Sequence, residues 1–421
     1  MKTKTTAVLT AALLGLGLFL GLSEKPVLSA SRHEEEGEGV AIHEYIRLFS
    51  DAFSVIRENY VEEVPVRKII YGAIKGMVKE LDDYSQFMEP ETTERVREDS
   101  EGEFGGLGIR IAKEGDYVKV ITPMPNTPAY RIGVLPGDLI VEIEGESARG
   151  ISLEEAVNRL RGPEGSQVTI SVKREEEDDY LEFTITRDTI VPRKVFSRVI
   201  DGDTAYIRIT DFSGNAPQMF RDAFEEKLEA GNTSLILDLR NNPGGLLTAA
   251  IEVAEMFIER GELIVYTQGR APTQSREFYA NRRPVDTEIP VVILINKGSA
   301  SGSEIVAGCL QDHGRAILLG ETTFGKASVQ SIINLEDESA LRLTTAEYYT
   351  PGGNPIHDKG VAPDIEVKLS SEERRHIAEK RSELYLLPEE ERLEKEAEIS
   401  DPQLDRAADI LRARKIFMRD K

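Results

Sequence analysis

Apolar side chains recur along the chain with two different periods, and the period changes near Phe104. Before that point, apolar residues return at steps of three and four, as they do on one face of an α-helix. These residues are Tyr45, Ile46, Phe49, Phe53, Ile56, Ile69, Ile70, Ala73, Ile74 and Met77. The pattern predicts a helical region over residues 41–100, whose apolar stripes pack either on the rest of the chain or on a second subunit.

From Phe104 onward the apolar pattern is that of short strands. Residues 105–109 are predicted to open the first strand, and further strands are predicted over 117–121, 167–173 and 181–186. A turn and strand are predicted over 137–143, and a short helix over 128–133. Ser152 and Glu155 form a capping box, which predicts a second helix that starts at Leu153. Residues 101–188 are therefore expected to form a mixed β unit with two helices.

Two strand–turn–helix units follow within residues 189–369. The first contains an apolar strand over 234–239 and a turn that ends in Gly244 and Gly245. The second contains the apolar strand 291–295 and a turn of small residues around Ser301. Strands this apolar are typical of a parallel sheet covered on both faces, so an α/β region is predicted with its functional groups at the two turns.

The last region, residues 370–421, is highly charged and helix-prone, with a break at Asp401 and Pro402. A final amphipathic helix is predicted from its apolar residues. These residues are Leu404, Ala407, Ala408 and Leu411. We expect a solvated helical tail that packs on the N-terminal helices.

Composition narrows the class of protein. The 421 residues are 40% hydrophobic and 30% charged, which fits a globular protein of two or three domains. The formal net charge of -23 argues against a nucleic-acid partner and against electrostatic docking on anionic lipid. Cys309 is the only cysteine, so no intramolecular disulfide is possible, and the histidines have no metal-ligand partners nearby in sequence.

The N-terminus is basic and then apolar. Lys2 and Lys4 precede an uncharged apolar run over residues 7–22, which is shorter than the ~17–25 residues of a spanning helix. Residues 1–30 are therefore expected to be a signal peptide, with an uncleaved N-terminal anchor as the alternative. Both place the folded part outside the cytoplasm. Residues 31–40 are charged and contain glycine, and they are predicted to be a linker.

Candidate chemistry is concentrated in the second strand–turn–helix unit and the turn after it. Ser301 lies on a strand-to-helix turn, where the helix N-terminus offers N–H groups to a developing oxyanion. Lys326 is the candidate base, which requires that burial lower its pKa. Ser299 and Ser303 are the alternatives to Ser301, because serine is common at turns and helix caps.

Residues 101–187 resemble a bacterial PDZ domain, in the segment GGLGI and in the run LPGDLI…SLEEAVNRLRG. In PDZ domains a glycine loop presents N–H groups to the C-terminal carboxylate of a peptide, which adds as an extra strand. The resemblance implies that Gly106, Leu107, Gly108 and Ile109 bind the peptide. A turn without a ligand is the alternative.

A longer resemblance runs from residue 42 to the C-terminus. The segments LDDYSQF, DLRNNPGGLL, GSASGSEIVAGCLQD, GETTFGKASVQ and KGVAPDIEV resemble those of the carboxy-terminal processing peptidases, also called tail-specific proteases. The resemblance implies a crotonase- and Clp-protease-like α/β protease core over residues 189–369. It also implies an inserted PDZ domain over 101–188 and helical regions over 41–100 and 370–421.

The resemblance assigns Ser301 as the nucleophile and Lys326 as the base, at the spacing that the family shows. Gln330 matches the residue that orients the lysine. Because Lys326 and Gln330 have the same parity on a strand predicted over residues 327–333, a direct hydrogen bond between them is expected.

The resemblance also places an oxyanion hole at Gly244, Gly245 and the N–H of Gly302. It implies a gating role for Arg161, which ends the second helix of the PDZ-like unit; an arginine there is also explained by the helix C-terminus. His313 is a conceivable catalytic base, but it follows the end of a helix and is expected at the surface.

The sequence therefore predicts an exported serine endopeptidase, in the periplasm or on the extracytoplasmic face of the cell membrane. It would recognise free C-terminal tails of protein substrates through its PDZ domain and cleave them by a Ser–Lys mechanism, with no metal or organic cofactor. The alternatives are a non-catalytic PDZ peptide-binding scaffold and a crotonase-like acyl-CoA enzyme. Membrane contact is expected only for an uncleaved N-terminal segment. A homodimer through the terminal helices and an adaptor protein are left open.

Overall fold

The computed structural model describes residues 30–175, 177–384, 395, 396 and 398–418, without the side chains of 30–41, 99, 101, 382 and 383. The signal or anchor predicted over residues 1–30 lies outside the described residues, apart from residue 30. Contacts between residues divide the chain into two units, Met1–Ala73 and Ile74–Lys421. None of the described helices is long and apolar enough to cross a membrane.

The first unit contains helix α1 (Ala30–Asn59) and the beginning of α2 (Val66–Lys79). Both lie where the apolar periodicity predicts helix. Residues 31–40 were predicted to be a linker, but in the structure they belong to α1. Glutamate, alanine and arginine are good helix formers, so a high charge does not by itself end a helix. The apolar stripe of α1 is largely exposed, and Tyr45 keeps 70% of its surface.

The second unit begins with β1 (Gln86–Met88), α3 (Pro90–Glu101) and β2 (Phe104–Gly106). A sheet of strands in the order β3-β4-β5-β7-β8 follows, with β6 paired to β5. Its strands are β3 (Ile109–Glu114), β4 (Tyr117–Pro123), β5 (Leu139–Ile143), β6 (Glu146–Ser147), β7 (Gln167–Lys173) and β8 (Leu181–Thr186). The helices are α4 (Pro128–Arg131) and α5 (Leu153–Leu160), and Ser152 Oγ accepts a hydrogen bond from the N–H of Glu155 at 3.0 Å, as the capping box predicts.

A six-stranded sheet in the order β10-β11-β12-β15-β16-β19 forms the centre of the second unit, and it is parallel from β11 to β19. Its strands are β10 (Val195–Ile200), β11 (Thr204–Ile209), β12 (Ser234–Asp238), β15 (Val291–Ile295), β16 (Ala316–Gly320) and β19 (Ile365–Glu366). The helices α6 (Ala216–Glu229), α7 (Leu247–Ala254) and α8 (Gly302–Asp312) contribute to the large apolar core on this sheet. The α/β prediction is thus confirmed in its strand–turn–helix order.

A second sheet adjoins this core and carries β17, the strand that follows Lys326. Its order is β1-β18-β13-β14, with β17 paired to β18. The bounds are β13 (Leu263–Gly269), β14 (Arg276–Tyr279), β17 (Ser328–Asn334) and β18 (Ala340–Tyr349). A short 3-10 helix (Pro272–Gln274) lies between β13 and β14, and β9 (Asp188–Ile190) pairs with β2.

The chain ends in α9 (Ser371–Leu384) and α10 (Pro402–Met418). The prediction that this region is a solvated tail is wrong for α10, which packs on the central sheet. Its buried residues Leu404, Ala407, Ala408 and Leu411 form a cluster with Ile236, Val292, Leu294 and Leu319. The physical reason is that the central strands are apolar on both faces, and the face opposite α8 also needs a cover.

A buried ion-pair network connects α10 to the end of β12. Arg240, with only 3% of its surface exposed, donates to both carboxylate oxygens of Asp238 and of Asp401 at 2.7–2.9 Å, and to Gln403 at 2.9 Å. Burial raises the pKa of Asp238, but the charge of Arg240 outweighs it and holds that pKa well below its usual range. The network fixes the backbone directly before the glycine turn.

Candidate active site

Three loops meet at the carboxyl edge of the central sheet. They follow the neighbouring parallel strands β12, β15 and β16, and they hold the glycine turn, the serine turn and the lysine turn respectively. The carboxyl ends of adjacent parallel strands lie at one edge of a sheet, which is where α/β proteins place their ligands. Residues far apart in sequence are therefore brought to one place by the topology.

Ser301 is the N-cap residue of α8, and its backbone has φ +53° and ψ −113°. A positive φ is unfavourable for a residue with a Cβ and costs on the order of 1–3 kcal/mol, so the surrounding structure must enforce it. The hydroxyl makes no capping hydrogen bond, and the residue is half-buried. The turn thus presents a hydroxyl that the helix itself does not use.

The other two serines of the turn have structural roles. Ser299 is fully buried and its hydroxyl donates to the carbonyl of Leu239 at 2.8 Å. Ser303 is also fully buried and donates to the carbonyl of Asn242 at 3.0 Å. Both hydroxyls bind the serine turn to the glycine turn, so Ser301 is the best placed of the three to meet a substrate.

Two backbone N–H groups are available beside Ser301. Those of Gly245 and Gly302 have no hydrogen-bond acceptor within the part of the chain that the structure describes. The N–H of Gly244 instead donates to Oδ1 of Asn242 at 2.9 Å. Gly244 instead allows the glycine turn to pack closely against Ser301, because a Cβ at this position would lie 2.6 Å from Cβ of Ser301. Of the three predicted oxyanion residues, two therefore have a free donor.

Glu304 connects the serine turn to the lysine turn. Its carboxylate is fully buried and accepts hydrogen bonds from the N–H of Ser301 (2.8 Å) and the N–H of Lys326 (3.0 Å). It also accepts from the N–H of Gly325 (2.7 Å) and the hydroxyl of Thr323 (2.5 Å). Burial raises the pKa of Glu304, and these four donors oppose that rise.

Sequence reasoning missed this role of Glu304, although one signal was present. Ser301 and Glu304 stand in the S-x-x-E spacing of a capping box, which alone would place the carboxylate near the N-cap backbone. The bonds to the lysine turn involve residues about twenty positions further on, and no local pattern predicts them.

The Lys326 side chain is half-buried and its Nζ lies 4.4 Å from the centroid of the Tyr84 ring. Burial lowers the pKa of this lysine, and the positive charge of Arg342 lowers it further. Within the described residues no hydrogen bond joins Nζ to Oγ of Ser301, which is common for catalytic groups before substrate binds. The direction of the pKa shift is the one a lysine base requires.

Tyr348 is a further residue that sequence reasoning missed. Its hydroxyl donates to the main-chain carbonyl of Lys326. Burial raises the pKa of Tyr348, a hydrogen bond with Ser301 lowers it, and the charge of Glu304 raises it, with a net upward shift. The phenol therefore stays protonated and supports the lysine turn.

Gln330 does not make the hydrogen bond that its parity with Lys326 predicts. Its Nε2 donates to Oγ1 of Thr344 at 2.7 Å, and its Oε1 is buried with no hydrogen-bond partner among the described residues. The register of β17 shifts between Val329 and Gln330, so the two-residue alternation of a regular strand does not extend back to Lys326.

His313 and Cys309 lie apart from the nucleophile. His313 is the C-cap residue of α8, at the end opposite Ser301, and the helical rise between these two positions places them about 18 Å apart. Its Nε2 contacts the carbonyl of Leu263 at 2.7 Å, and it is half-buried rather than at the surface as expected. Cys309 is fully buried, and burial raises the pKa of its thiol. No cluster of metal-ligating side chains occurs among the described residues.

The glycine loop of the PDZ-like sheet lies before β3, which is an edge strand. The carbonyls of Leu107 and Gly108 accept from Ala129 and Met124, while their N–H groups have no acceptor among the residues described. Gly108 has φ +72°, and a Cβ there would lie 2.2 Å from Thr127, so glycine is required. The loop can therefore offer two N–H groups to an anion, and Ile109 begins the adjacent free edge.

Arg161 stands at the C-terminus of α5, near this loop. Its guanidinium lies 4.0 Å from the centroid of the Phe104 ring on β2. The next residue, Gly162, donates its N–H to the carbonyl of Gly105 at 3.2 Å. Arg161 is thus placed beside the glycine segment.

Comparison with known proteins shows which family the chain resembles. Family models match over residues 203–367 (Peptidase family S41), 119–174 (PDZ domain) and 20–92 (Activating protease CtpB N-terminal domain). A carboxy-terminal-processing protease of Bartonella bacilliformis is 43% identical, covering 76% of this chain and 74% of that protein. The carboxy-terminal processing protease CtpA of Bacillus subtilis is 34% identical, covering 76% and 68%. A solved photosystem II D1 C-terminal processing protease is 32% identical with a TM-score of 0.47, covering 74% of this chain and 86% of that one.

Replacing Glu304 by glutamine tests the connection between the two turns. Glutamine offers one acceptor oxygen and places an NH₂ group against N–H donors, so the serine and lysine turns separate. We expect kcat/KM for peptide cleavage to fall by about 100-fold, because small misplacements of catalytic groups have effects of that order.

The matched control is Glu255→Gln. Glu255 is 4% exposed and accepts from the N–H groups of Asn281 and Arg282, but it lies at the end of α7 away from the glycine turn. We expect it to lower the urea unfolding midpoint while cleavage stays near wild type. A folded Glu304→Gln variant that cleaves at the wild-type rate would show that the carboxylate has no part in arranging the site.

Proposed function

Because the chain belongs to the family of carboxy-terminal processing proteases, we propose that Ser301 is its nucleophile and Lys326 its general base. The chain is a serine peptidase with a PDZ domain. The single observation that carries the assignment is the buried carboxylate of Glu304, which accepts from the N–H groups of both Ser301 and Lys326. It supports a common function for the two turns.

The proposed reaction proceeds through an acyl-enzyme. Oγ of Ser301 attacks the carbonyl carbon of the scissile bond while neutral Nζ of Lys326 takes its proton. The N–H groups of Gly245 and Gly302 stabilise the oxyanion that forms. Lys326 then gives the proton to the leaving amine, the C–N bond breaks, and water releases the acyl group by the same path.

Gln330 is assigned to orient the base. Its amide is fixed by the bond from Nε2 to Thr344, and its Oε1 is a buried acceptor with no partner in the part of the chain that the structure describes. A buried unpaired acceptor is costly, so a donor is expected to satisfy it in the working state. The ammonium of Lys326, formed during the reaction, is the donor that this mechanism supplies.

Substrate recognition is assigned to the PDZ domain. The free N–H groups of Leu107 and Gly108 suit a terminal carboxylate, and the unpaired edge of β3 suits an added strand. Gly106 and Ile109 flank these donors on the loop and the strand. The substrates are therefore proposed to be proteins with free C-terminal tails, and Arg161 beside the loop is proposed to gate their cleavage.

The similarity of this chain to known proteases supports peptide-bond cleavage as its function. It does not support the two alternatives, a non-catalytic peptide-binding scaffold and an acyl-CoA enzyme. We propose that the protein is exported, to the periplasm or the outer face of the cell membrane, because its N-terminus combines Lys2 and Lys4 with an apolar run.

Two further partners remain predictions: a second copy of this chain, bound through the terminal helices, and an adaptor protein. The exposed apolar stripe of α1 supports the dimer.

The lysine base is tested by Lys326→Arg. Arginine keeps the charge but does not deprotonate in the working range, so cleavage of a free-tail peptide should be abolished. In the wild type, protonated lysine is inactive, so the rate should rise with pH through a pKa below the ~10.4 of a free side chain.

Lys297→Arg is the control, because Lys297 is exposed in the serine turn and should be replaceable without loss. Circular dichroism checks folding of both variants. If folded Lys326→Arg cleaves at a rate near wild type, the Ser–Lys mechanism is wrong and another base must be sought.

Tail recognition is tested with matched peptides that end in a carboxylate or in an amide. The carboxylate accepts from the two loop N–H groups and an amide does so poorly, so the acid should have the higher kcat/KM. Measuring both peptides on Ser301→Ala by calorimetry separates binding from cleavage, and the acid should also bind more tightly. Equal rates and equal affinities would remove the tail-sensing assignment.

A further inference from the structure

The segment of residues 81–87 carries part of the family resemblance, yet none of its residues takes part in the proposed reaction. In the structure its tyrosine, Tyr84, is half-buried, with its ring centroid 4.4 Å from Nζ of Lys326. The ring therefore covers one side of the amine that the proposed function makes the general base.

Hydrogen bonds to Asp82 fix the backbone that carries Tyr84. Oδ1 of Asp82 accepts from the N–H groups of Tyr84 and Ser85, both at 2.7 Å, and Oδ2 accepts from the hydroxyl of Ser85 at 2.8 Å. An aspartate that bonds the backbone two and three residues further on stabilises a tight turn. Burial raises the pKa of Asp82, but these bonds outweigh it and the net shift is downward, so the carboxylate is charged at neutral pH.

The same turn is attached to β18. The N–H of Thr344 donates to Oγ of Ser85 at 3.1 Å, and directly after the turn β1 pairs with β18. Oγ1 of Thr344 also accepts from Nε2 of Gln330 at 2.7 Å. The ring of Tyr84 and the amide of Gln330 are thus both positioned by one residue of β18.

The other groups that face Lys326 come from β18 and α8. Arg342 on β18 acts on its ammonium by repulsion. Glu304 on α8 accepts from its N–H, and Tyr348 on β18 donates to its carbonyl. These last two contacts fix the main chain of Lys326, whereas the contact with Tyr84 is the one described for Nζ itself.

We propose that Tyr84 is a positioning residue for the base: its ring holds Nζ of Lys326 in position and shields it from water. The inference rests on the proposed function, in which Lys326 is the general base. The face of the ring attracts an ammonium, which favours the protonated lysine, while the loss of water disfavours it. Burial and the charge of Arg342 lower the pKa of Lys326. The ring contributes to that burial, so we expect its shielding to outweigh its attraction for the ammonium and to favour the neutral amine that takes the proton from Ser301.

Substitutions at Tyr84 in the full-length chain test this, through kcat and the pH profile of kcat/KM on a free-tail peptide. Tyr84→Phe keeps the ring and should stay within about two-fold of wild type, because the face that covers Nζ is unchanged. Tyr84→Ala admits water, so kcat/KM at neutral pH should fall by about ten-fold or more. Its acidic limb should move to higher pH, and the deficit should shrink as pH rises. Tyr279→Ala, at an exposed tyrosine of β14, is the control and should leave both quantities unchanged.

A purely structural role would lower the rate equally at every pH, and thermal unfolding measures that loss separately. A folded Tyr84→Ala variant with the wild-type pH profile, or a Tyr84→Phe variant as impaired as Tyr84→Ala, would overturn the proposal. If Tyr84→Ala does not fold, Tyr84→Leu decides, because leucine fills the space without an aromatic face. Leucine still excludes water but does not attract the ammonium, so the acidic limb should move to lower pH; a limb at the wild-type position overturns the proposal. If Lys326 is not the base, the proposed function itself fails, and the Lys326→Arg variant would then still cleave. This result distinguishes a failure of the proposed function from a failure of the role of Tyr84.

Discussion

The site depends on one buried carboxylate. Glu304 is fully enclosed and its two oxygens accept four hydrogen bonds, from the serine turn on one side and the lysine turn on the other. Burying a carboxylate is unfavourable unless its acceptor positions are filled, so the two turns must approach each other for this part of the chain to fold. The cost of burying one charge is thereby coupled to the assembly of the proposed nucleophile and the proposed base.

The neighbouring features follow from this constraint. Ser301 has an unfavourable positive φ, which persists because its own N–H is bound to Glu304 while Ser299 and Ser303 fasten the turn to the glycine loop. The strain turns the hydroxyl away from capping α8. At the other turn, Glu304 holds the main chain of Lys326, so the side chain lies in the half-buried position that lowers its pKa. The strained backbone of Ser301 and the lowered pKa of Lys326 are thus both consequences of the packing of two loops against the carboxylate of Glu304.

Much of the fold was predictable from local patterns. The strands β7, β8 and β15 have the predicted bounds, because each is a clear apolar run or alternation between turn residues. Ser301 and Lys326 were located through the family resemblance and their place on glycine turns. The contacts of Tyr84 and Glu304 with the lysine turn were not predictable, because they join residues distant in sequence. The packing of α10 on the central sheet was missed for the same reason. The bulge before Gln330 was missed because the alternation of residues along one strand does not show where its pairing with the next strand shifts.

The most direct test of the account is to identify the residue that becomes acylated during turnover. A peptide p-nitrophenyl ester is mixed with the full-length chain, the reaction is quenched in acid, and the modified residue is mapped by mass spectrometry. An ester bond between the acyl group and Oγ of Ser301 is the predicted result, since a serine nucleophile passes through this intermediate. An acyl group on Ser299, Ser303, Cys309 or Lys326 in place of Ser301 would contradict the assignment of Ser301 as the nucleophile.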